Sequence, residues 1–286
     1  MKIIKFFSIF LFLFLQQISH LEANDFKKWV DDFKKRALDQ KISPKTVNRV
    51  MDKAIFLPKV IEYDRYQPEF YEDTLTYISK RVNDAKIKKG LDLYNNNSTL
   101  IKNVEKKFFV EKELLLSLMG IETNFGMYLG KMDIVSSLAT LSFDKRRSEF
   151  FSKELLILLK LIDKGIIDSK TLYGSWAGAF GNFQFMPRTI KNYAIDYNSN
   201  SIIELKSIED SFASAANYVN KIGWKQNGLC FIKIELKDSI PKKYLNTSAK
   251  KIKNKKKMSY FKKYIKNNEN INLNKNTIAA IITPDK

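Results

Sequence analysis

The run Leu114-Leu115-Leu116-Ser117-Leu118-Met119-Gly120-Ile121-Glu122-Thr123-Asn124-Phe125-Gly126 sets one acidic residue into a helical apolar pattern. Leu115 and Leu118 precede Glu122 by seven and four positions, and Phe125 follows it by three. Helical geometry puts all four on one stripe. A glutamate there, at the C-terminal end of a helix, ionises with difficulty, because burial and the helix dipole both disfavour its charge. Such conditions raise a carboxylate pKa and make a general acid. The same spacing suits a glutamate that reaches into solvent or pairs with a lysine, and the pattern alone leaves both readings open.

Outward from this run the chain reads as helices joined by short polar connections. Leu100 to Phe125 carries a strong helical pattern, and Glu149 to Ile162 another, with Leu155, Leu156, Leu158, Leu159 and Leu161 on its apolar face. Ser43-Pro44 has the form of an N-cap and first helical residue, opening a helix through Val47, Val50, Met51 and Ala54. Phe212, Ala215, Ala216 and Val219 repeat the helical spacing. After Gly223-Trp224 the period changes: Cys230 to Leu236 alternates with period two, which predicts a strand. The fold class is mainly α (α+β), with a small late β element.

Composition narrows the chemistry. The 286 residues suffice for one large domain or two small ones, and they include one histidine, His20, and one cysteine, Cys230. A single cysteine forms neither an intrachain disulfide nor a thiolate metal cage. Lys2 and Lys5 precede an apolar run from Phe6 to Leu15, with a small residue at Ala23; residues 1–23 read as a signal peptide cut near Ala23. The run is too short to span a bilayer and no cysteine stands at the cut for lipidation, so the mature chain is expected to be periplasmic, soluble rather than membrane-anchored. Cleavage also removes His20, and with it His-dependent triads and zinc sites. Acid–base chemistry then falls to carboxylates.

Net charge is +19, and between Lys242 and Lys266 stand eleven lysines with no Asp or Glu. An exported protein seldom meets nucleic acid, and lysine is not the arginine favoured for bidentate phosphate contacts, so no nucleic-acid partner is expected. Two readings of the run stay open: a solvated, mobile segment, or an electrostatic preference for an anionic extracytoplasmic polymer.

A second unusual segment is Gly174-Ser175-Trp176-Ala177-Gly178-Ala179-Phe180-Gly181-Asn182-Phe183-Gln184-Phe185-Met186-Pro187. Its glycines let backbone approach a ligand closely, and its aromatic faces among Ser, Asn and Gln suit sugar rings. A tight helix–helix contact would use the same composition.

Gly120–Gly126, then Leu138-Ala139-Thr140-Leu141-Ser142-Phe143 with Arg146-Arg147 and Glu149-Phe150-Phe151, then Gly174–Pro187, follow in one order. With Tyr193-Ala194, Ala216-Asn217-Tyr218, Gly223-Trp224 and, upstream, Tyr66-Gln67-Pro68-Glu69-Phe70, they resemble the lytic murein transglycosylase B family, glycoside hydrolase family 103. The resemblance runs from about residue 25 to 285. It implies a lysozyme-like catalytic core with additional wrapping helices over 24–286, acting on peptidoglycan glycan strands. Glu122 would be the catalytic residue, first acid and then base, with no second carboxylate. By position Ser175 and Gln184 match cleft residues near the acid, and Arg146, Arg147 and Tyr218 match residues that bind glycan or peptide stem. Trp176 and Phe185 complete the expected aromatic cleft.

The resemblance requires no cofactor but suggests a structural calcium loop. Asp196, Asn198 and Asn200 stand at positions one, three and five, with Asp210 as a further ligand. Asn198 and Asn200 replace carboxylates, and Ser201 stands where the sharp turn prefers Gly, so a plain polar turn is the other reading. Ala279 to Asp285 is normally followed in the family by a segment with a Tyr-Asn motif and a closing helix; this sequence stops at Lys286.

Overall fold

The computed structural model describes residues 24–66, 73–228, 231–247, 252–266 and 274–283. Within the stretch 24–286 read as one catalytic domain, these residues gather into two compact units, one from 24–66 and 83–226, the other from 73–82 and 227–283. Residues 1–23 with His20, Gln67 to Phe70, and Cys230 lie outside the described residues.

The larger unit is helical. It begins with α1 (24–39), α2 (Pro44–Met51) and α3 (Pro58–Arg65). After α4 (Thr74–Arg81), which belongs to the other unit, it continues with α5 (Asp84–Asn96), α6 (Ser98–Phe108) and α7 (Lys112–Thr123). Then come β1 (Met132–Asp133), α8 (Ile134–Phe143), α9 (Ser148–Asp163), β2 (Tyr173–Gly174), α10 (Pro187–Tyr193) and α11 (Ile208–Lys221). Ser43 caps α2 as expected, its side chain accepting from Thr46 N, although the helix ends at Met51, short of Ala54. Helix α8 is buried from Ile134 through Ser142 and packs on α9. Its hydroxyls serve the loop beside it: Ser136 Oγ accepts from Ile55 N at 3.1 Å and Thr140 Oγ1 from Leu57 N at 3.0 Å. Buried N–H groups need such partners. α9 also carries α10 and α2, while α11 packs against α6, α10 and α7.

The pattern from Leu100 to Phe125 resolves into two helices. Phe109 turns left-handed (φ 56°) and ends α6. Residues far away in sequence hold the break: Asn220 Nδ2 donates to Phe108 O at 3.0 Å, and Trp224 Nε1 donates to Glu111 Oε2 at 2.6 Å.

The smaller unit pairs β3 (Leu245–Asn246) in parallel with β6 (Ile281–Ile282), and β4 (Lys256–Lys257) antiparallel with β5 (Ile278–Ala279); α12 (Met258–Lys262) follows β4. Tyr244, Phe261 and Ile281 form its buried centre. Asn246 ties the unit together, donating from Nδ2 to Ile281 O at 2.9 Å and accepting at Oδ1 from Lys253 N at 2.8 Å. The strand expected over Cys230–Leu236 is corrected by the described part. Exposure does alternate from Phe231 to Lys237, but among the described residues only Leu236 forms a bridge, with Ile265. Lys237 N donates to Tyr264 O at 2.8 Å and Lys266 N to Glu235 O at 2.9 Å around that bridge, and no ladder runs on from it among the described residues.

Candidate active site

Glu122 occupies the last turn of α7, and the chain reverses immediately after it. Asn124, Phe125 and Gly126 all have positive φ, at 49°, 60° and 83°. Phe125 therefore leaves the helical stripe on which the spacing placed it. Its ring folds back between two glycines: a Cβ on Gly120 would stand 2.8 Å from the ring tip, and one on Gly90 of α5 3.0 Å. Only glycine gives the ring this room, which explains Gly120 two residues before Glu122.

Thr123 fixes the helix end. Its Oγ1 donates to Asn182 O at 2.8 Å and accepts from Gly126 N at 3.0 Å. Asn182, itself buried, donates from Nδ2 to Ser211 Oγ of α11 at 2.9 Å. Glu122 is thereby anchored through its neighbour to the Gly174–Pro187 segment and to α11.

That segment is a pair of tight loops. Ser175 N donates to Ala179 O at 2.8 Å and Ala179 N to Ser175 Oγ at 3.1 Å. Phe180 and Phe185 exchange two backbone hydrogen bonds, closing a turn in which Gln184 has φ 49°. Gln184 Nε2 donates to Leu129 O at 3.3 Å and Gly181 O at 2.9 Å, so it joins this turn to the strap following Glu122. Farther along that strap a Cβ on Gly130 would collide with Gly174 O, and β1 and β2 pair there. The helix end carrying Glu122 and the loops carrying Gln184 and Ser175 are thus bonded to one another. Trp176 is half-buried against the core. Phe185 is 6% exposed and meets Tyr218 edge-on at 5.6 Å, so it backs the Tyr218 ring from inside. Tyr128 and Tyr173, which the sequence reading did not single out, are exposed aromatic faces on this strap and on β2. Tyr128 N donates to Thr123 O at 2.9 Å.

The electrostatics separate Glu122 from the other acids. Its side chain opens to solvent, one of the readings the spacing left open, and makes no ion pair or hydrogen bond with a described residue. Enough protein still surrounds the carboxyl that desolvation raises its pKa. Among the described carboxyls with a resolved shift it alone moves upward. Buried Asp64, Glu154 and Asp210 are all engaged. Glu154 accepts from Arg188 N and Nε at 2.8 and 3.0 Å.

Arg146 and Arg147 converge on Asp64 of α3. Arg146 Nε donates to Oδ2 at 2.7 Å, and Arg147 Nη2 donates to Oδ1. Both guanidiniums keep part of their surface in solvent while Asp64 holds them. Their link is to α3, whereas Glu122, Ser175 and Gln184 are joined through the loops.

The loop from Asp196 holds itself. Asp196 Oδ2 accepts from Ser201 N at 2.8 Å, and Asn200 Oδ1 from Ile202 N at 2.9 Å. Asn198 and Asn200 turn their amide nitrogens outward to Glu209 and Glu204. Asp210, fully buried, accepts from Tyr197 N and Glu204 N at 2.8 Å each, so both its oxygens are committed. Asp196 likewise accepts at both oxygens, from Asn200 N at 3.1 Å and Ser201 N at 2.8 Å, and two of the four expected ligands are neutral amides, less charge than a tight calcium site uses. The residues fit a self-held polar turn rather than such a site, and no metal cluster of three or more His, Cys, Asp or Glu occurs among the described residues.

A family profile described as "Transglycosylase SLT domain" matches residues 25–286. The chain is 35% identical over 151 residues to membrane-bound lytic murein transglycosylase B of Escherichia coli K12, covering 52% of this chain and 42% of that one. It therefore spans less than half the length of that relative. Among solved structures it resembles SltB3 from Pseudomonas aeruginosa in complex with NAG-NAM-pentapeptide, with TM-score 0.83 and 26% identity, over 91% of this chain and 69% of that one. It also resembles the Escherichia coli lytic transglycosylase Slt35 in complex with calcium, with TM-score 0.70 and 26% identity, over 87% of this chain and 78% of that one. The mainly α, lysozyme-like expectation is borne out by these likenesses.

Proposed function

The chain belongs to the transglycosylase SLT-domain family, and from this we propose that it is a peptidoglycan lytic transglycosylase with Glu122 as acid and then base. The observation that carries the reading is a carboxyl with no partner among the described residues, its pKa raised by desolvation, on a helix end locked by Thr123 and Asn182. A protonated Glu122 gives its proton to the oxygen bridging N-acetylmuramic acid and N-acetylglucosamine, and the C1–O bond breaks. The carboxylate left behind takes the proton from the muramyl C6 hydroxyl as that oxygen bonds to C1. The product is a 1,6-anhydro ring, no water is consumed, and the acid is restored. Ser175 and Gln184 shape the loops beside this carboxyl. Tyr128, Trp176 and Tyr218 supply aromatic faces for sugar rings, with Phe185 behind Tyr218. Arg146 and Arg147, steadied by Asp64, face the carboxylates of peptide stems.

The setting that fits this substrate is the periplasm, reached by export and cleavage near Ala23. No described helix is long and apolar enough to cross a membrane. The loop of Asp196, Asn198, Asn200 and Asp210 acts as a polar turn held by its own hydrogen bonds.

Mass spectrometry of sacculi digested by the purified protein tests the proposal. Anhydro-muramyl fragments are expected. Fragments heavier by one water would make the protein a hydrolase instead, and undigested glycan with the protein bound would make it a binding protein.

A further inference from the structure

The smaller unit holds the densest charge in the chain. Of the eleven lysines between Lys242 and Lys266, eight are described and exposed, Lys253, Lys255, Lys256 and Lys257 among them. None of the eight forms an ion pair with a described carboxylate. The described part of the run is built into the fold rather than trailing from it. Met258, Phe261 and Ile265 are at most 4% exposed, and Lys256 and Lys257 pair with Ala279 and Ile278. Two of the eight are held by aromatic rings. Lys263 Nζ lies 4.9 Å from the centroids of both Tyr260 and Tyr264, and Lys243 Nζ lies 5.4 Å from that of Tyr244.

Like charges fixed on so small a unit repel one another and oppose its folding. An external polyanion relieves that repulsion and releases counterions as it binds. Fixed ammonium groups also lose less freedom on pairing than lysines on a loose tail. With three tyrosine faces already covered by lysine, the patch offers charge rather than a stacking surface for sugars. We propose that this unit is a docking surface for a polycarboxylate, the peptide stems of the wall polymer, and keeps the chain on its substrate. The choice of polymer rests on the function proposed above.

The test is co-sedimentation of the full chain with purified sacculi, using Glu122→Gln throughout so that the polymer stays intact. Binding is expected to weaken at least tenfold between about 50 and 200 mM salt. Replacing Lys253, Lys255, Lys256 and Lys257 together by Gln should weaken it roughly tenfold at the lower salt, with an unchanged circular dichroism spectrum. The matching Arg variant should bind like its parent, which separates charge from damage to the fold. Sacculi with amidated carboxyls should bind as poorly as the Gln variant binds native ones. Equal binding by the Gln variant, indifference to amidation, or equally tight binding to DNA or anionic vesicles would overturn the proposal. Turnover is read separately, with Glu122 intact, on short glycans lacking peptides, where the Gln variant should match its parent. An absence of anhydro product there would sink the function while leaving the docking result standing.

Discussion

At the scale of single residues, Glu122 depends on what its described neighbours do not offer: a cation or a donor. Desolvation raises its pKa, so the folded state holds this proton more tightly than the unfolded chain does. The sign follows from linkage. As pH rises from the ordinary glutamate value through the raised one, the folded state loses stability relative to the unfolded chain, and above that window the full loss remains. Glu122→Gln removes this dependence, so thermal melts across that window should show the variant gaining on its parent as pH rises. The same variant should lose about 10²–10⁴-fold in anhydro product, since one group serves both proton transfers. Near-normal product would refute that role. Thr123→Val tests the anchor rather than the acid. It leaves Asn182 O and Gly126 N without their partner and should cost about 1–3 kcal/mol in a denaturant melt. Because Glu122 then loses its fixed position, kcat should fall while KM changes little; an unchanged kcat would show that the link carries stability alone.

At the scale of elements, the Asp196–Asp210 loop makes a sharp case, because its side chains do the work a cation could otherwise do. Asp210→Ala should destabilise the protein by about 2–4 kcal/mol, since two backbone N–H groups lose a shared buried acceptor. Calcium or a chelator should shift the melting temperature by less than about 1 °C, because a weak site adds little stabilisation at millimolar metal. A rise of several degrees with calcium would restore the metal reading. Elements whose signals are local were legible in the sequence. Ser43 and Pro44 announce α2, and the apolar faces of α9 and α11 follow their 3.6-residue period. Glu122 and the loop holding Ser175 and Gln184 stood out by residue type. What escaped depends on partners distant in the chain. Phe109 breaks the Leu100–Phe125 pattern where Asn220 and Trp224 grip the flanking residues, and nothing near Phe109 records them. Phe125 leaves its stripe because Gly90, on another helix, makes room for its ring. The alternation from Phe231 to Lys237 reports which side chains face inward, but a ladder also needs hydrogen-bonded neighbours, and the period does not record them.

At the scale of the whole molecule, burial and charge are divided unequally between the two units. In the larger, α8 and α9 are buried along most of their length, and their amides should open only by global unfolding. The smaller unit closes over a centre of Tyr244, Phe261 and Ile281, joined by two-residue strands, and carries exposed lysines without described carboxylate partners. Its opening free energy should therefore be the lower of the two. Hydrogen exchange followed by mass spectrometry is expected to find β4, β5 and α12 exchanging well before α8 and α9. Salt then supplies a second, independent reading. Raising ionic strength from about 0.01 to 0.1 M shortens the screening length from roughly 30 to 10 Å, which weakens repulsion among the lysines and leaves apolar burial little changed. Protection in β4, β5 and α12 should rise with salt while that of α8 and α9 stays level. A salt effect of equal size in both units would show that the lysine charge does not set the smaller unit's stability, and early exchange from α8 would refute the ranking itself.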